Sequence, residues 1–130
     1  MTTYLCIAVG GALGSVARFW LSEAVGQRWG ETFPWGTILV NVSGSFLIGV
    51  LAALCGAGGR FSGAPGLRQF LVVGVCGGYT TFSAFSMQTF DLARSGHWFS
   101  AGGNVALSVV LCLFATGLGY ALGFAFNGSR

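Results

Sequence analysis

The chain carries few groups able to do covalent chemistry, and it scatters them. Three carboxylates (Glu23, Glu31 and Asp91), one histidine (His97), six arginines and no lysine are spread over 130 residues. No nucleophile–base–acid set and no metal-ligand cluster can be assembled from that inventory, which argues against an enzyme. Cys6, Cys55, Cys76 and Cys112 fall singly, with no CxxC and no neighbouring His, and read as small apolar packing residues. What the chain offers instead is neutral hydrogen-bonding groups in apolar surroundings. Asn41 lies in "ILVNVSGS" with Ser43 and Ser45 just beyond it, and Asn104 and Ser108 stand at i, i+4 with Cys112 one turn further. Such groups either glue helices together or line a wet path. In "GVCGGYTTFSAFS", residues 74–86, Phe82 and Phe85 share a helical face and Ser83 and Ser86 lie beside them. A phenyl ring has a positive edge. A path of ring edges, hydroxyls and one amide suits a small anion that must shed water, meet no fixed opposite charge, and still leave.

The elements that position these groups follow from composition. Hydrophobic residues make up 54% of the chain and charged residues 7%, with a mean hydropathy of +0.76. A soluble domain carries about a quarter charged residues, so the class is an integral membrane protein. Residues 2–17, 32–59, 69–90 and 98–129 contain no Asp, Glu, Lys or Arg. About 20 residues of helix cross the hydrocarbon layer, which places spans at roughly Thr3–Leu21, Trp35–Ala57, Gln69–Ala93 and Phe99–Phe126. The expectation is an all-α protein, residues 1–130 forming a single transmembrane domain of four helices. The first span lacks a basic leading stretch and a good cleavage context, and reads as a retained helix. The interior of every span is free of carboxylates, which argues against proton-coupled transport.

Two patterns leave alternatives open. The six arginines divide evenly: Arg60, Arg68 and Arg130 on one side, Arg18, Arg28 and Arg94 on the other. Orientation normally follows a Lys/Arg excess, so either one helix decides it or the chain inserts both ways. Gly77-Gly78 followed by Thr80-Thr81 weakens a helix by propensity and β-branched crowding. Either the third span breaks near 77–81, freeing carbonyls for a hard cation, or the glycines merely admit a neighbouring helix. Glycine totals 23, and Gly10/Gly14, Ser45/Gly49, Gly74/Gly78 and Gly119/Gly123 stand at the spacing that lets membrane helices approach closely. Most of these serve a single bundle, with surface to spare for a homodimer.

"WGTILVN" (35–41), "GGYTTFSAFS" (77–86) and GxxxRFW at the end of the first span together resemble the Fluc/CrcB family of fluoride ion channels, over essentially the whole chain. The resemblance implies a dual-topology, antiparallel homodimer in a bacterial inner membrane, passively exporting cytoplasmic fluoride through two pores. It implies a third helix broken near its middle and a central structural Na⁺ held by the carbonyls of Gly77 and Thr80, two subunits supplying four oxygens. By position, Asn41 matches the pore asparagine, Phe82 and Phe85 the paired pore phenylalanines, and Ser108, Thr37 and Thr81 hydroxyl positions of the pathway. Arg18 matches a first-span arginine, either a vestibule group that draws anions or an interfacial anchor. Three positions depart from relatives: Asn104 where some carry tyrosine, Cys112 where a serine can stand, and Gln88 where a glutamate can. Fluoride, membrane lipid and a second copy are the expected partners, with no nucleic acid and no organic cofactor. Two other classes stay open: a small dual-topology transporter of another substrate, and a non-conducting structural membrane protein.

Overall fold

The computed structural model describes residues 1–128; Arg130, one of the six arginines in the side-to-side count, lies outside them. Helix α1 spans Thr2–Trp29, α2 Trp35–Cys55, α3 Pro65–Arg68, α4 Gly77–Tyr79, α5 Phe82–Arg94 and α6 Trp98–Asn127. Between α3 and α4, residues Gln69–Cys76 form a π-helical segment, so Pro65–Arg94 is one membrane-length rod with an interruption. Four helical rods are long and apolar enough to cross a membrane, and the described residues contain no strand. The first helix runs eight residues past the expected end at Leu21. Its last two turns carry Glu23 and Arg28, and it stops at Gly30, whose φ of 81° suits a residue without a Cβ. The α2 helix ends at Cys55, two residues short of Ala57.

Two helix pairs, each in parallel register, hold the bundle together. In the first, α1 lies against the π segment and α4. A Cβ on Gly10 would meet the Phe70 carbonyl oxygen at 2.5 Å and the Gly74 Cα at 3.0 Å, so both positions must be glycine for the backbones to touch. In the second, α2 lies against α6: Gly49 faces the Thr116 carbonyl and Gly119 faces the Phe46 carbonyl. Helices in lipid gain nothing by hiding apolar side chains from one another, and close backbone contact supplies dispersion energy instead. Gly10/Gly14, Gly74/Gly78, Gly119/Gly123 and Gly49 are therefore spent within one chain, while Ser45 borders an open cavity. At the end of the α2–α6 pair, Asn127 Nδ2 donates to the Ala53 carbonyl (2.8 Å) and its Oδ1 accepts from the Arg60 N–H (3.1 Å), fastening the loop after α2 to the end of α6.

The third rod changes partner at its interruption. Before it, the rod packs on α1; after it, α5 packs on α6. Thr80 and Thr81 are extended, with φ/ψ of −78°/156° and −149°/116°. Of the two readings of Gly-Gly-x-Thr-Thr, the structure has the break, located at the threonines themselves, with Gly77 and Gly78 still helical. The Thr81 hydroxyl caps the new helix by accepting from the Ala84 N–H at 3.2 Å, as an N-cap residue should.

Candidate functional site

A broken helix in a membrane must find partners for the groups it releases. Asn41 supplies them. Its Oδ1 accepts from the Thr81 N–H at 2.8 Å, and its Nδ2 donates to the Thr81 carbonyl at 3.0 Å. One side-chain amide thus pairs with one backbone residue at both ends, as a neighbouring strand would. The amide keeps a second N–H beyond this clasp. The same exchange frees two carbonyls. In an unbroken helix the Thr81 N–H would go to Gly77 and the Ala84 N–H to Thr80. Here they go to Asn41 Oδ1 and Thr81 Oγ1.

Beside the clasp is a cavity of about 330 Å³, bounded among others by Asn41, Thr80, Thr81, Phe82, Phe85, Ser108 and Cys112. Phe82 is 79% exposed and Phe85 only 9%, and their ring centroids lie 5.3 Å apart at 49°. One ring therefore faces out of the chain while the other is fixed in the bundle. The lining is mostly apolar carbon with a few donors, and among the described residues none that bounds it carries a charge.

A chain of hydrogen bonds crosses the wall behind this cavity. Ser108 Oγ donates to Asn104 Oδ1 (3.4 Å), Asn104 Nδ2 to Thr89 Oγ1 (2.8 Å), and Thr89 Oγ1 to the Phe85 carbonyl (2.7 Å). It links α6 to α5 at the level of the two phenylalanines. Beyond it opens a second, larger cavity of about 720 Å³ at the α1–α2 and α5–α6 turns, bounded by Thr37, Gln88 and Ser100 on its inner side. Thr37 and Asn41 are one turn apart on α2, Gln88 and Phe85 one turn apart on α5, and Ser100 and Ser108 two turns apart on α6. The two cavities thus lie along the same three helical faces, with Asn104 between them.

The outer cavity also gathers Glu23, Glu31, Asp91 and His97, which is every carboxylate in the chain and its single histidine. In the sequence Glu23 and Glu31 fall in the first loop, Asp91 at the end of the third span and His97 alone in a loop; the structure puts them around one mouth. Gln88 Oε1 is buried here without a hydrogen-bond partner.

Of the residues singled out in the sequence, Asn41, Thr81, Phe82, Phe85 and Ser108 meet at the inner cavity, and Thr80 joins them. Thr37 is separate from that group and lines the outer cavity. Arg18, half-buried on α1, borders neither. Gly77 is exposed, and a Cβ there would meet nothing within 4 Å. Thr89 was missed, although its place one turn beyond Phe85 on the same face would have pointed to it. The cysteines are all free thiols, with Cys55 and Cys76 buried and Cys112 at the inner cavity.

Comparison with known proteins places this architecture. A family model described as CrcB-like protein, Camphor Resistance (CrcB), matches residues 5–120. A protein of Opitutus terrae named fluoride-specific ion channel FluC is 57% identical, the match covering 100% of this chain and 98% of that protein. A protein of the same name from Methylocella silvestris is 54% identical over 95% of both chains. Another from Rhodospirillum rubrum is 53% identical over 91% of this chain and 92% of the relative. With a four-rod membrane bundle, a broken third rod and near full-length identity of this order, the chain belongs to the CrcB-like family.

Proposed function

We propose that the protein is a fluoride-selective passive ion channel of a bacterial inner membrane, a single transmembrane domain that exports cytoplasmic fluoride. The observation that carries this reading is the inner cavity: an amide, hydroxyls and two tilted phenyl rings around a space free of charged side chains. Full-length relatives named fluoride-specific ion channels support it. A small, strongly hydrated anion needs donors to replace its water, and it needs them weak enough to release it. Asn41, with one N–H to spare, together with the Thr81 and Ser108 hydroxyls, offers donors of that kind. A fixed arginine there would hold the ion.

The working unit in this reading is an antiparallel homodimer with two pores. Phe82, most of whose surface is uncovered, supports it, because a pore-lining ring must be enclosed by something, and a second copy in the opposite orientation would do so. In the sequence, the even split of Arg18, Arg28 and Arg94 against Arg60, Arg68 and Arg130 gives little orientation bias. A structural sodium ion fits the same unit. The Gly77 and Thr80 carbonyls are released from the helix ladder, and a hard monovalent cation takes neutral oxygens. Four such oxygens, two from each copy, would hold it and supply charge at the break; the ion itself takes no part in transport.

The test is anion efflux from liposomes holding the purified protein, with valinomycin to clamp the potential and parallel fluoride and chloride electrodes. Rapid fluoride loss with little chloride loss is expected. Folded protein that releases neither ion would move the structural-protein reading to the front. Slow, saturating fluoride loss at carrier rates would favour a uniporter.

A further inference from the structure

We infer that Ser45 is an ion-contacting residue of the pathway: its hydroxyl is the next donor after Asn41 along α2, on the side away from the outer cavity. The inference rests on the channel reading above and deepens it.

A hydroxyl inside a membrane helix has a default partner, the carbonyl one turn back. Ser43 donates to the Leu39 carbonyl (2.7 Å), Thr80 to that of Cys76 (3.0 Å), Ser86 to that of Phe82 (2.9 Å) and Thr116 to that of Cys112 (2.9 Å). Ser45, two residues along α2 from Ser43, makes no such bond. It has no hydrogen-bond partner among the described residues, and its oxygen stays accessible on the half-buried wall of the inner cavity. The other hydroxyls on that wall are engaged. Thr80 is bonded to its own helix, Thr81 Oγ1 caps α5 and lies 3.2 Å from Ser83 Oγ, and Ser108 Oγ is turned toward Asn104 Oδ1 at 3.4 Å. Ser45 therefore presents an uncommitted O–H to that space.

Spacing alone puts Ser45 in one stripe with Gly49, but the two do different things. Gly49 is pressed against the Thr116 carbonyl of α6, while Ser45 opens on the cavity. Asn41, Ser45 and Ile48 follow one face of α2, and all three line that space. Side chains four apart on a helix are about 5–6 Å from each other at Cβ, and a hydroxyl reaches its acceptor at about 2.7 Å. One small anion can thus be held by the spare Asn41 N–H and the Ser45 O–H together, and pass from the first to the second with no interval bare of donors. A neutral hydroxyl replaces one water of hydration and still lets the ion go.

The experiment measures fluoride efflux per dimer from liposomes reconstituted with the full-length protein and with the variants Ser45→Ala, Ser45→Cys and Ser43→Ala. Ser45→Ala is expected to slow fluoride by about fivefold, the scale of one net hydrogen bond, with the chromatographic profile and melting temperature of the parent. Ser45→Cys keeps a weak donor and should fall between the two. Donor strength ranks serine, cysteine, alanine, whereas volume ranks cysteine, serine, alanine, so the order of the rates tells an ion contact from a packing contact. Ser43→Ala removes a hydroxyl already bonded to its own helix and to Tyr79, and should leave the rate near that of the parent. Should Ser45→Ala fail to fold, Ser45→Cys decides alone: a slowed rate supports the inference, and a rate at or above the parent's overturns it. An unchanged rate in folded Ser45→Ala protein overturns it, as does an equal slowing by Ser43→Ala. Slowing that comes with lost dimers or a lowered melting temperature also overturns it, because it marks a packing role. A parent protein that passes no fluoride removes the channel reading and this inference with it. An active parent insensitive to Ser45 removes only the inference.

Discussion

Helix α2 meets the rest of the bundle in two different ways along its length. Toward its C-terminal half, at Gly49, it meets α6 backbone to backbone: a Cβ there would sit 2.9 Å from the Tyr120 nitrogen, and one on Gly123 would sit 2.7 Å from the Val50 carbonyl oxygen. Toward its N-terminal half, at Asn41, it meets the broken rod through a side chain, and an open volume of about 330 Å³ is left beside the contact. Both arrangements answer the same problem, that helices in lipid have no hydrophobic reason to associate. The glycine seam answers it by deleting side chains and leaves no space. The amide clasp answers it with directional bonds and keeps a space open. The comparison teaches that a small bundle can hold a cavity because a different stretch of the same helix is packed to backbone contact.

The largest effect should come from the seam. Gly119→Val puts a branched side chain against the Phe46 carbonyl, a backbone group that cannot rotate away. Overpacking of this kind costs about 3 kcal/mol, and size-exclusion chromatography in detergent should show aggregated protein in place of a sharp peak. A well-folded, active variant would mean that the seam yields, and the contrast would collapse. Asn41→Leu comes next. It leaves the Thr81 N–H and C=O without partners at a cost of about 2 kcal/mol. A lowered melting temperature together with lost fluoride efflux is expected. Asn41→Asp is sharper still, since it keeps an acceptor for the Thr81 N–H but sets a carboxylate against the Thr81 carbonyl and the ion. It should assemble as the parent does, yet conduct poorly.

Phe82→Ile sharpens the comparison from the other direction. The ring is mostly exposed in the single chain, so its loss should leave folding unchanged while fluoride flux drops by about tenfold, the scale of an aromatic edge contact. Undiminished flux from well-formed dimers would sink the pathway assignment and leave the fold intact. The smallest effect is expected for Arg18→Gln, because Arg18 borders neither cavity and its charge is screened within about 10 Å at 0.1 M salt. Flux should change by less than about twofold; a large, salt-dependent fall would assign Arg18 to the vestibule after all.

How far the sequence shows this structure depends on which physical signal carries each feature. Hydropathy and the gaps between charges locate four rods because the solvent itself imposes that pattern. The cost of Gly-Gly and Thr-Thr in a helix marks 77–81 as weak, and the adjacency of Asn41, Phe82, Phe85 and Ser108 follows from the motifs. Hydropathy fails past Leu21, where α1 turns polar but its helix formers continue to Gly30, so charge marks the edge of the lipid and not the end of the helix. It also says nothing of Gln69–Cys76, where the change is one of hydrogen-bond register, invisible to side-chain polarity. Thr37 groups with Asn41 in the sequence motif but opens on the other cavity, because one turn of helix is enough to carry a side chain across the wall between them. The mouth of three carboxylates depends on how α5 leans on α6 after the break, which no local pattern records.

The Asn41 clasp also bears on how the bend comes into being. Its two bonded partners are 40 residues apart in the chain. A third span alone in lipid has no Asn41 to receive the Thr81 N–H, and a straight helix would satisfy that group within itself. The bend is therefore written in two spans: the glycines and threonines of the third weaken its helix and cap the new one, and the amide of the second receives the groups the break releases. During biosynthesis it belongs to the docking of helices already inserted, and a third span grafted into another bundle without an amide at that height should run straight.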